Sequence, residues 1–117
     1  MKHTKSFQLG PKQIDWIRAL KSEKYPQGQY TLNNGESFCC LGVLCEVMEF
    51  KKTGDSSSGY LYGGSKDLLN TSQRRKIGLT KEGMNLLSRL NDIYRASFSQ
   101  IAYELQKYPK SYFFKGV

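Results

Sequence analysis

The most apolar segment of the chain runs from Phe38 to Phe50. At about 100° per residue, Gly42, Glu46 and Glu49 fall on one narrow strip of a helix, and the remaining residues from 40 to 50 are apolar. A helix that is apolar around most of its circumference is buried. We therefore predict that residues 40–50 form the central helix of a single core. Gly42 has no side chain, so another backbone can approach the helix there.

A first helix is predicted to begin at Gly10-Pro11, because proline is favoured in the first turn of a helix. Its apolar stripe contains Trp16, Ile17 and Leu20. The helix should end before Tyr25-Pro26, since the residue before a proline disfavours the helical region.

Three more helices are predicted in the C-terminal half of the chain. Thr71 or Ser72 caps a short helix that ends at Gly78. Thr80 caps the next helix, which stops near Asn91-Asp92. A serine followed three residues later by glutamine forms a capping box for the last helix. That box is Ser97 with Gln100, and the buried face of the helix is Phe98, Ile101, Ala102 and Leu105.

Asn33-Asn34-Gly35 lies between two stretches with strand character. Asn-Gly is a strong hairpin signal, so a two-stranded ribbon is predicted at residues 29–38. Residues 51–65 are rich in serine and glycine and are predicted to form a flexible loop. Within this loop, Tyr60-Leu61-Tyr62 is either a short strand or a flap. The predicted fold class is α+β, with four to five short helices and one hairpin.

A chain of 117 residues is expected to form one domain, residues 1–117. Its formal net charge is +8, which is typical of nucleic-acid-binding proteins. Most of this excess lies at the two ends, in Lys2, Lys5, Lys12, Lys107, Lys110 and Lys115. We therefore distinguish a basic leader, residues 1–10, and an aromatic and basic tail, residues 108–117. The remainder of the chain is nearly balanced in charge.

Three cysteines within seven residues, Cys39, Cys40 and Cys45, make a poor disulfide framework. Reduced thiols are typical of the cytoplasm, so we expect a cytoplasmic protein. No apolar stretch approaches 18 residues, so neither a membrane-spanning segment nor a signal peptide is expected.

Several segments, taken together, resemble a known group of proteins. They are Trp16-Ile-Arg-Ala-Leu20, Tyr25-Pro-Gln27, Phe38-Cys-Cys-Leu-Gly-Val-Leu-Cys-Glu46, Gly78-Leu79, Leu90-Asn-Asp92 and Ser97-Phe98 with Ile101-Ala102. From about Trp16 to Leu105 the chain resembles a widespread family of small phage and prophage proteins with a C-C-L-G-V-L-C-[DE] segment and a later L-N-D…S-F-x-x-I-A segment. The resemblance implies a phage origin and a cytoplasmic setting in an infected bacterium. The family has no settled activity, so no catalytic residue is transferred.

The central helix offers one candidate nucleophile. If the helix begins near Cys39, its N-terminal field lowers the pKa of that thiol. A cysteine hydrolase also needs a base, usually histidine, and the one histidine is His3 in the basic leader. The three cysteines and His3 also make a nominal zinc set, but their spacing does not match the usual ligand pairs. We favour the interpretation that the three cysteines are small core residues. We expect no metal and no cofactor.

Other residues are candidates for contacts with a ligand or partner. They form three groups: Asn91, Asp92, Tyr94 and Arg95; Arg74, Arg75 and Lys76; and Tyr60 and Tyr62. Tyrosine with Arg or Lys suits stacking on a nucleotide, and it equally suits a protein interface. In the structural alternative, Asn91 and Asp92 make capping and loop hydrogen bonds, and the basic triplet is a solvated helix end. Glu46 and Glu49 lie three residues apart, as paired carboxylates would, but glycosidases need two carboxylates across a cleft. We favour a solvated face or salt bridges to nearby Lys and Arg for this pair.

We therefore expect a small non-enzymatic phage accessory protein that binds and interferes with host defence. It would capture an anionic nucleotide-type signal or block a host protein. One alternative is a DNA- or RNA-binding protein that uses the basic ends. Another is a cysteine-dependent enzyme based on Cys39. The oligomeric state stays open, and a homodimer formed through the tail is one arrangement.

Overall fold

The computed structural model describes residues 7–117, so most of the predicted basic leader lies outside the described residues. Within this range there are five α-helices and one antiparallel hairpin, which confirms the α+β class. The helices are α1 (Pro11–Lys21), α2 (Cys40–Val47), α3 (Thr71–Ile77), α4 (Lys81–Asp92) and α5 (Phe98–Lys107), and the strands are β1 (Lys52–Asp55) and β2 (Gly59–Tyr62). A short 3-10 turn, Pro109–Ser111, follows α5.

The central position predicted for α2 is confirmed. Its first six residues are all buried, and the helix packs against α1 and α4. Trp16 from α1 donates a hydrogen bond from Nε1 to the carbonyl oxygen of Cys40 at 3.0 Å. The helix ends at Val47, earlier than predicted, because Glu49 adopts a left-handed φ of 55°. The N–H of Phe50 then donates to the carbonyl oxygen of Cys45 and closes the helix end.

The predicted backbone approach at Gly42 is also confirmed. The main chain of Leu32 crosses α2 at this position, and a Cβ on Gly42 would overlap the carbonyl group of Leu32. A glycine in the middle of a helix weakens its intrinsic stability. Here it allows the 31–34 segment to lie directly on the central helix.

The predicted position of the hairpin, residues 29–38, is wrong. In that segment Phe38 makes only isolated bridges, to Gln27 and Asn33. The side-chain Oδ1 of Asn34 accepts hydrogen bonds from the N–H groups of Glu36 and Ser37, both at 2.8 Å. An asparagine that bonds to its own turn in this way competes with a strand ladder, and the chain folds into a compact turn.

The hairpin lies instead within residues 51–65, which the sequence analysis interpreted as a loop. Lys52 pairs with Tyr62, and Asp55 pairs with Gly59 across the turn. The carboxylate of Asp55 accepts hydrogen bonds from the N–H and hydroxyl groups of Ser57 and Ser58. These bonds lower the pKa of Asp55 to about 2. The serines that indicated a loop therefore form the turn of a hairpin. Of the two alternatives for Tyr60–Tyr62, a strand or a flap, the structure has the strand.

The C-terminal helices agree closely with the prediction. Gly78 ends α3 in a left-handed conformation, with φ 76°. The cap of α3 is Asn70, one residue before Thr71, because its side chain accepts from the N–H of Gln73. Thr80 caps α4, and Ser97 with Gln100 forms the predicted capping box of α5. The predicted apolar face of α5 is buried.

The tail packs against the core. Tyr112 and Phe113 are buried, and Phe113 makes an edge-to-face contact with Trp16, with ring centroids 6.2 Å apart. At the end of the tail, the backbone oxygen of Val117 accepts from the N–H of Gln13 at 3.0 Å. The tail is therefore part of the core around α1. None of the helices in residues 7–117 is long and apolar enough to cross a membrane.

The crossing at Gly42 gives a direct test of the fold. We expect Gly42→Ala to reduce the free energy of unfolding by about 2–3 kcal/mol or more, because overpacking at a rigid backbone contact forces main-chain shifts. Urea denaturation followed by circular dichroism measures the change. Ser72→Ala, an exposed position in α3, is the control and should leave stability nearly unchanged. A Gly42→Ala protein as stable as the wild type would show that the two backbones do not touch.

Candidate functional site

A groove of about 530 Å³ lies where the end of α4 meets the start of α5. We call it the α4–α5 groove. It is lined by Leu90, Tyr94, Ala96, Ser99, Gln100, Tyr103 and Glu104. Tyr94 and Tyr103 are 73% and 54% exposed. Two exposed tyrosines in one open, largely apolar groove are typical of a binding surface rather than of a core.

The turn between α4 and α5 positions Tyr94. The N–H of Tyr94 donates to the carbonyl oxygen of Arg89, and the N–H of Ala96 donates to that of Leu90 at 2.8 Å. Arg95 between them adopts a left-handed φ of 54°. This conformation is uncommon outside glycine. The turn is therefore tight, and it carries Tyr94 and Arg95 out into solvent.

Charges are distributed unevenly around the groove. The one carboxylate in its lining is Glu104, and Oε1 of Glu104 accepts a hydrogen bond from the hydroxyl of Tyr112 at 2.8 Å. The lining contains no Lys or Arg. Lys107 lies beside it, with Nζ 5.6 Å from the ring centroid of Tyr103. A largely apolar groove with a cation at its margin can bind another surface.

Asn91, predicted as a ligand contact, is a structural centre with no exposed surface. Its Oδ1 accepts from Nε2 of Gln27 at 2.9 Å and from the N–H of Cys40 at 3.2 Å. Its Nδ2 donates to the carbonyl oxygen of Gly28 and to Oδ1 of Asp92, both at 2.8 Å. One side chain thus joins three parts of the chain, which is the capping role that we weighed as the structural alternative.

The same network supports the wall of the groove. Nε2 of Gln27 also donates to the carbonyl oxygen of Ala96 at 2.8 Å, and Oδ1 of Asp92 accepts from the N–H of Tyr30. Of the four residues predicted in this region, Tyr94 lines the groove and Arg95 lies beside it. Asn91 is buried, and Asp92 is partly exposed but its carboxylate is engaged in internal hydrogen bonds, so we do not retain them as contact residues.

The other two predicted groups lie elsewhere. On α3, Arg75 and Lys76 are exposed, and Nη2 of Arg74 donates to Thr71 Oγ1 at 3.3 Å. Tyr60 lines a different pocket beside the hairpin. Tyr94 and Tyr60 therefore belong to separate pockets, and the basic triplet lines neither.

Tyr62 anchors the hairpin to α2. Its hydroxyl donates to Oε2 of Glu46 at 2.6 Å and accepts from Nδ2 of Asn33 at 2.9 Å. Burial, together with the bond to Glu46, raises the pKa of Tyr62 well above its usual range. Lys52 forms an ion pair with the same carboxylate oxygen at 3.1 Å. Tyr62 is buried, so we do not retain it as a contact residue either.

The environment of the cysteines favours the packing interpretation. All three are buried with free thiols. Cys39 occupies the N-cap position of α2 without a side-chain cap hydrogen bond. Burial raises the pKa of its thiol to about 11 and outweighs the nearby backbone N–H groups, which lower it. Within residues 7–117 no group of three or more His, Cys, Asp or Glu is arranged to hold a metal ion. His3, the fourth nominal ligand, lies outside the described residues.

The sequence analysis did not select Tyr103, Ser99 or Gln100 as site residues. Tyr103 lies opposite the buried face of α5, where a large aromatic side chain is exposed. A large aromatic residue on an otherwise polar helix face was the sequence feature that could have identified Tyr103 as a surface contact residue. The groove itself exists only because α4 and α5 pack against each other, which no local pattern reveals.

Comparison with known proteins extends over part of the chain. Residues 12–62 match the model of a family described as a Domain of unknown function (DUF8296). The match covers a little under half of the chain, from the start of α1 to the end of β2, and includes the Cys-Cys-Leu-Gly-Val-Leu-Cys segment. Searches of the curated proteins and of the solved structures found no match.

The Asn91 network predicts a large stability effect. We expect Asn91→Ala to lower the free energy of unfolding by on the order of 3 kcal/mol, because each buried partner left unpaired costs about 1–3 kcal/mol. Urea denaturation measures the loss. Asn85→Ala, an exposed asparagine in the same helix, is the matched control. An equal effect of both substitutions would contradict the structural role of Asn91.

The buried thiols should be unreactive in the folded protein. At pH 8 we expect negligible modification of Cys39, Cys40 and Cys45 by a thiol-specific reagent, and modification of all three after unfolding in urea. The reason is that the thiolate is the reactive form and burial disfavours it. The absorbance of the chromophore that the reagent releases on reaction gives the number of modified thiols. Rapid native-state reaction of one thiol, absent in Cys39→Ala, would instead support the nucleophile alternative.

Proposed function

We propose that the chain is a non-enzymatic accessory protein of phage origin that binds a host protein through the α4–α5 groove and so interferes with host defence. The observation that carries this proposal is the pair of exposed tyrosine rings in one open groove, Tyr94 and Tyr103. The phage origin rests on the sequence resemblance. The binding role rests on the surface that the described residues present.

The lining favours a protein over a nucleotide at this groove. A phosphate group needs cations or free N–H donors, whereas the lining contains the carboxylate of Glu104 and no Lys or Arg. Tyrosine is enriched at the energetic centres of protein interfaces, because one rigid ring supplies a large contact area. An open groove also suits a side chain from a partner surface better than a ligand that must be enclosed.

The margin of the groove indicates the chemistry of the partner. Arg95 is exposed next to Tyr94 in the turn, and Lys107 lies over Tyr103. The chain as a whole carries a net charge of +8. A partner that presents an apolar side chain within an acidic rim would complement both features, and opposite charge would accelerate its association.

A second candidate function, binding of DNA or RNA, is favoured by a different observation. The segment before α1 meets the tail, and a pocket of about 400 Å³ lies there. Phe7, Lys107, Tyr108 and Lys110 contribute to its lining, which contains no acid. Aromatic rings interleaved with lysines suit single-stranded nucleic acid.

Phage plating tests the favoured function. The full chain is expressed in bacterial strains that carry defined antiphage defence systems, and the plating of a phage restricted by each system is measured. We expect the wild type to restore plating in one strain and to co-purify with a protein of that system. The double variant Tyr94→Ala/Tyr103→Ala should lose both effects while keeping the wild-type melting temperature, because both rings are exposed.

Leu68→Ala is the control for that double variant, because Leu68 is 42% exposed and lies outside the groove. It should behave as the wild type. Full plating with the double variant would contradict the groove, and no restoration in any strain would count against the defence role. Capture of nucleic acid that weakens steeply with salt, and that Lys107→Ala/Lys110→Ala abolishes, would favour the second candidate.

A further inference from the structure

A separate pocket of about 360 Å³ lies between the hairpin and the segment after Tyr30. We call it the hairpin pocket. It is lined by Thr31, Asn33, Asn34, Gly54, Ser58, Gly59, Tyr60, Leu61 and Lys66. Main-chain hydrogen bonds join its walls: the N–H of Tyr60 donates to the oxygen of Asn33, and the N–H of Leu32 donates to the oxygen of Lys66, both at 2.9 Å. The pocket is therefore preformed by the fold.

Part of the lining is already committed to internal hydrogen bonds. Asn33 is buried, its Nδ2 donates to the hydroxyl of Tyr62, and its Oδ1 accepts from the N–H of Gly35. Oδ1 of Asn34 accepts from the turn that it stabilises. Within the described residues this leaves four side-chain donors of the lining without a protein partner, which are Lys66 Nζ, Thr31 Oγ1, Asn34 Nδ2 and the Tyr60 hydroxyl.

The pocket favours a negatively charged group. Lys66 is the cation of its lining, and the lining contains no carboxylate. Asp67, which follows Lys66 in the chain, is exposed and is not part of the lining. Two further acids on neighbouring elements are engaged in hydrogen bonds. Asp55 accepts from the serines of the hairpin turn, and Glu46 is paired with Lys52 and Tyr62. An ammonium group with hydroxyl and amide donors beside it is a typical contact set for a phosphate.

Tyr60 adds a flat apolar surface to the same pocket. It is half-buried, and Lys52 Nζ lies 4.8 Å from its ring centroid. Gly54 and Gly59 in the adjoining wall carry no side chain and have φ values of 106° and 90°. A Cβ on Gly54 would overlap the carbonyl oxygen of Gly59, and one on Gly59 would contact the backbone of Asn33 and Asn34. These glycines therefore let the hairpin strands and the 31–34 segment approach closely. Tyr60 lines the pocket that this approach forms, and a planar ring can stack against it there.

We propose that the hairpin pocket binds a nucleoside 5′-monophosphate, with the phosphate at Lys66 and the base against Tyr60. The volume lies near the lower end of the roughly 300–1,000 Å³ of small-molecule sites, which suits one nucleotide rather than two. This site shares no lining residue with the α4–α5 groove. The nucleotide site and the host-protein proposal can therefore be tested independently.

Titration of the isotope-labelled full chain tests the site by NMR. The four 5′-nucleoside monophosphates, the matching nucleosides and inorganic phosphate are added separately. We expect at least one monophosphate to shift the amide signals of Thr31, Asn34 and Lys66. Its Kd should rise at least about tenfold in Lys66→Gln and in Tyr60→Leu, a loss of about 1.4 kcal/mol or more. Lys24→Gln, an exposed lysine outside the pocket, should bind as the wild type.

Three results would overturn the proposal. The first is the absence of shifts at these amides with all four monophosphates. The second is unchanged binding by Lys66→Gln with an intact spectrum. The third is binding of inorganic phosphate as tight as that of a monophosphate, which would indicate an anion contact without a base site.

Discussion

The buried N-terminus of α2 is the constraint on which the rest of the structure depends. A helix end leaves backbone N–H groups without partners, and such groups are costly when water is excluded. Asn91 supplies an acceptor for the N–H of Cys40, and Thr31 supplies one for the N–H of Cys39. Trp16 donates to the carbonyl oxygen of Cys40. Elements that lie far apart in the sequence are therefore held around one turn of helix.

The same network joins residues that lie far apart in the sequence. Gln27, Cys40 and Asn91 meet in one hydrogen-bonded cluster. These residues form a buried polar centre, in which each donor and acceptor needs a hydrogen-bond partner. The cluster holds Ala96 through Gln27, and so supports the wall of the α4–α5 groove. Gln27, Cys40 and Asn91 thus position the groove without lining it.

The two candidate surfaces differ in kind because the elements that carry them differ. The α4–α5 groove lies on two capped helices and offers broad aromatic area. The hairpin pocket lies between a two-stranded ribbon and a turn, and offers donors and one cation. An isolated two-stranded ribbon is marginally stable in water. Here Tyr62 and its bonds to Glu46 and Asn33 anchor the ribbon to the core, which keeps the pocket walls in place.

Local patterns predicted the helices well and the hairpin badly. The caps at Thr80 and Ser97 and the stop at Gly78 act within a few residues, so the sequence contains all of their chemistry. The Asn-Gly signal at residues 34–35 failed because the Asn34 side chain bonds to its own turn. The hairpin in the Ser/Gly segment was missed because serines are typical of flexible loops. In this protein the same serines donate hydrogen bonds to Asp55 and stabilise the hairpin turn.

The sequence by itself determined the fold class, the buried helix around Cys40–Val47 and the close backbone approach at Gly42, because each follows from periodicity or from a missing side chain. Only the tertiary structure decided the candidate sites. It buried Asn91 and Tyr62, which a sequence pattern cannot distinguish from exposed polar residues, and it exposed Tyr94 and Tyr103 side by side. Burial depends on which elements pack together, and those contacts join residues that are distant along the chain.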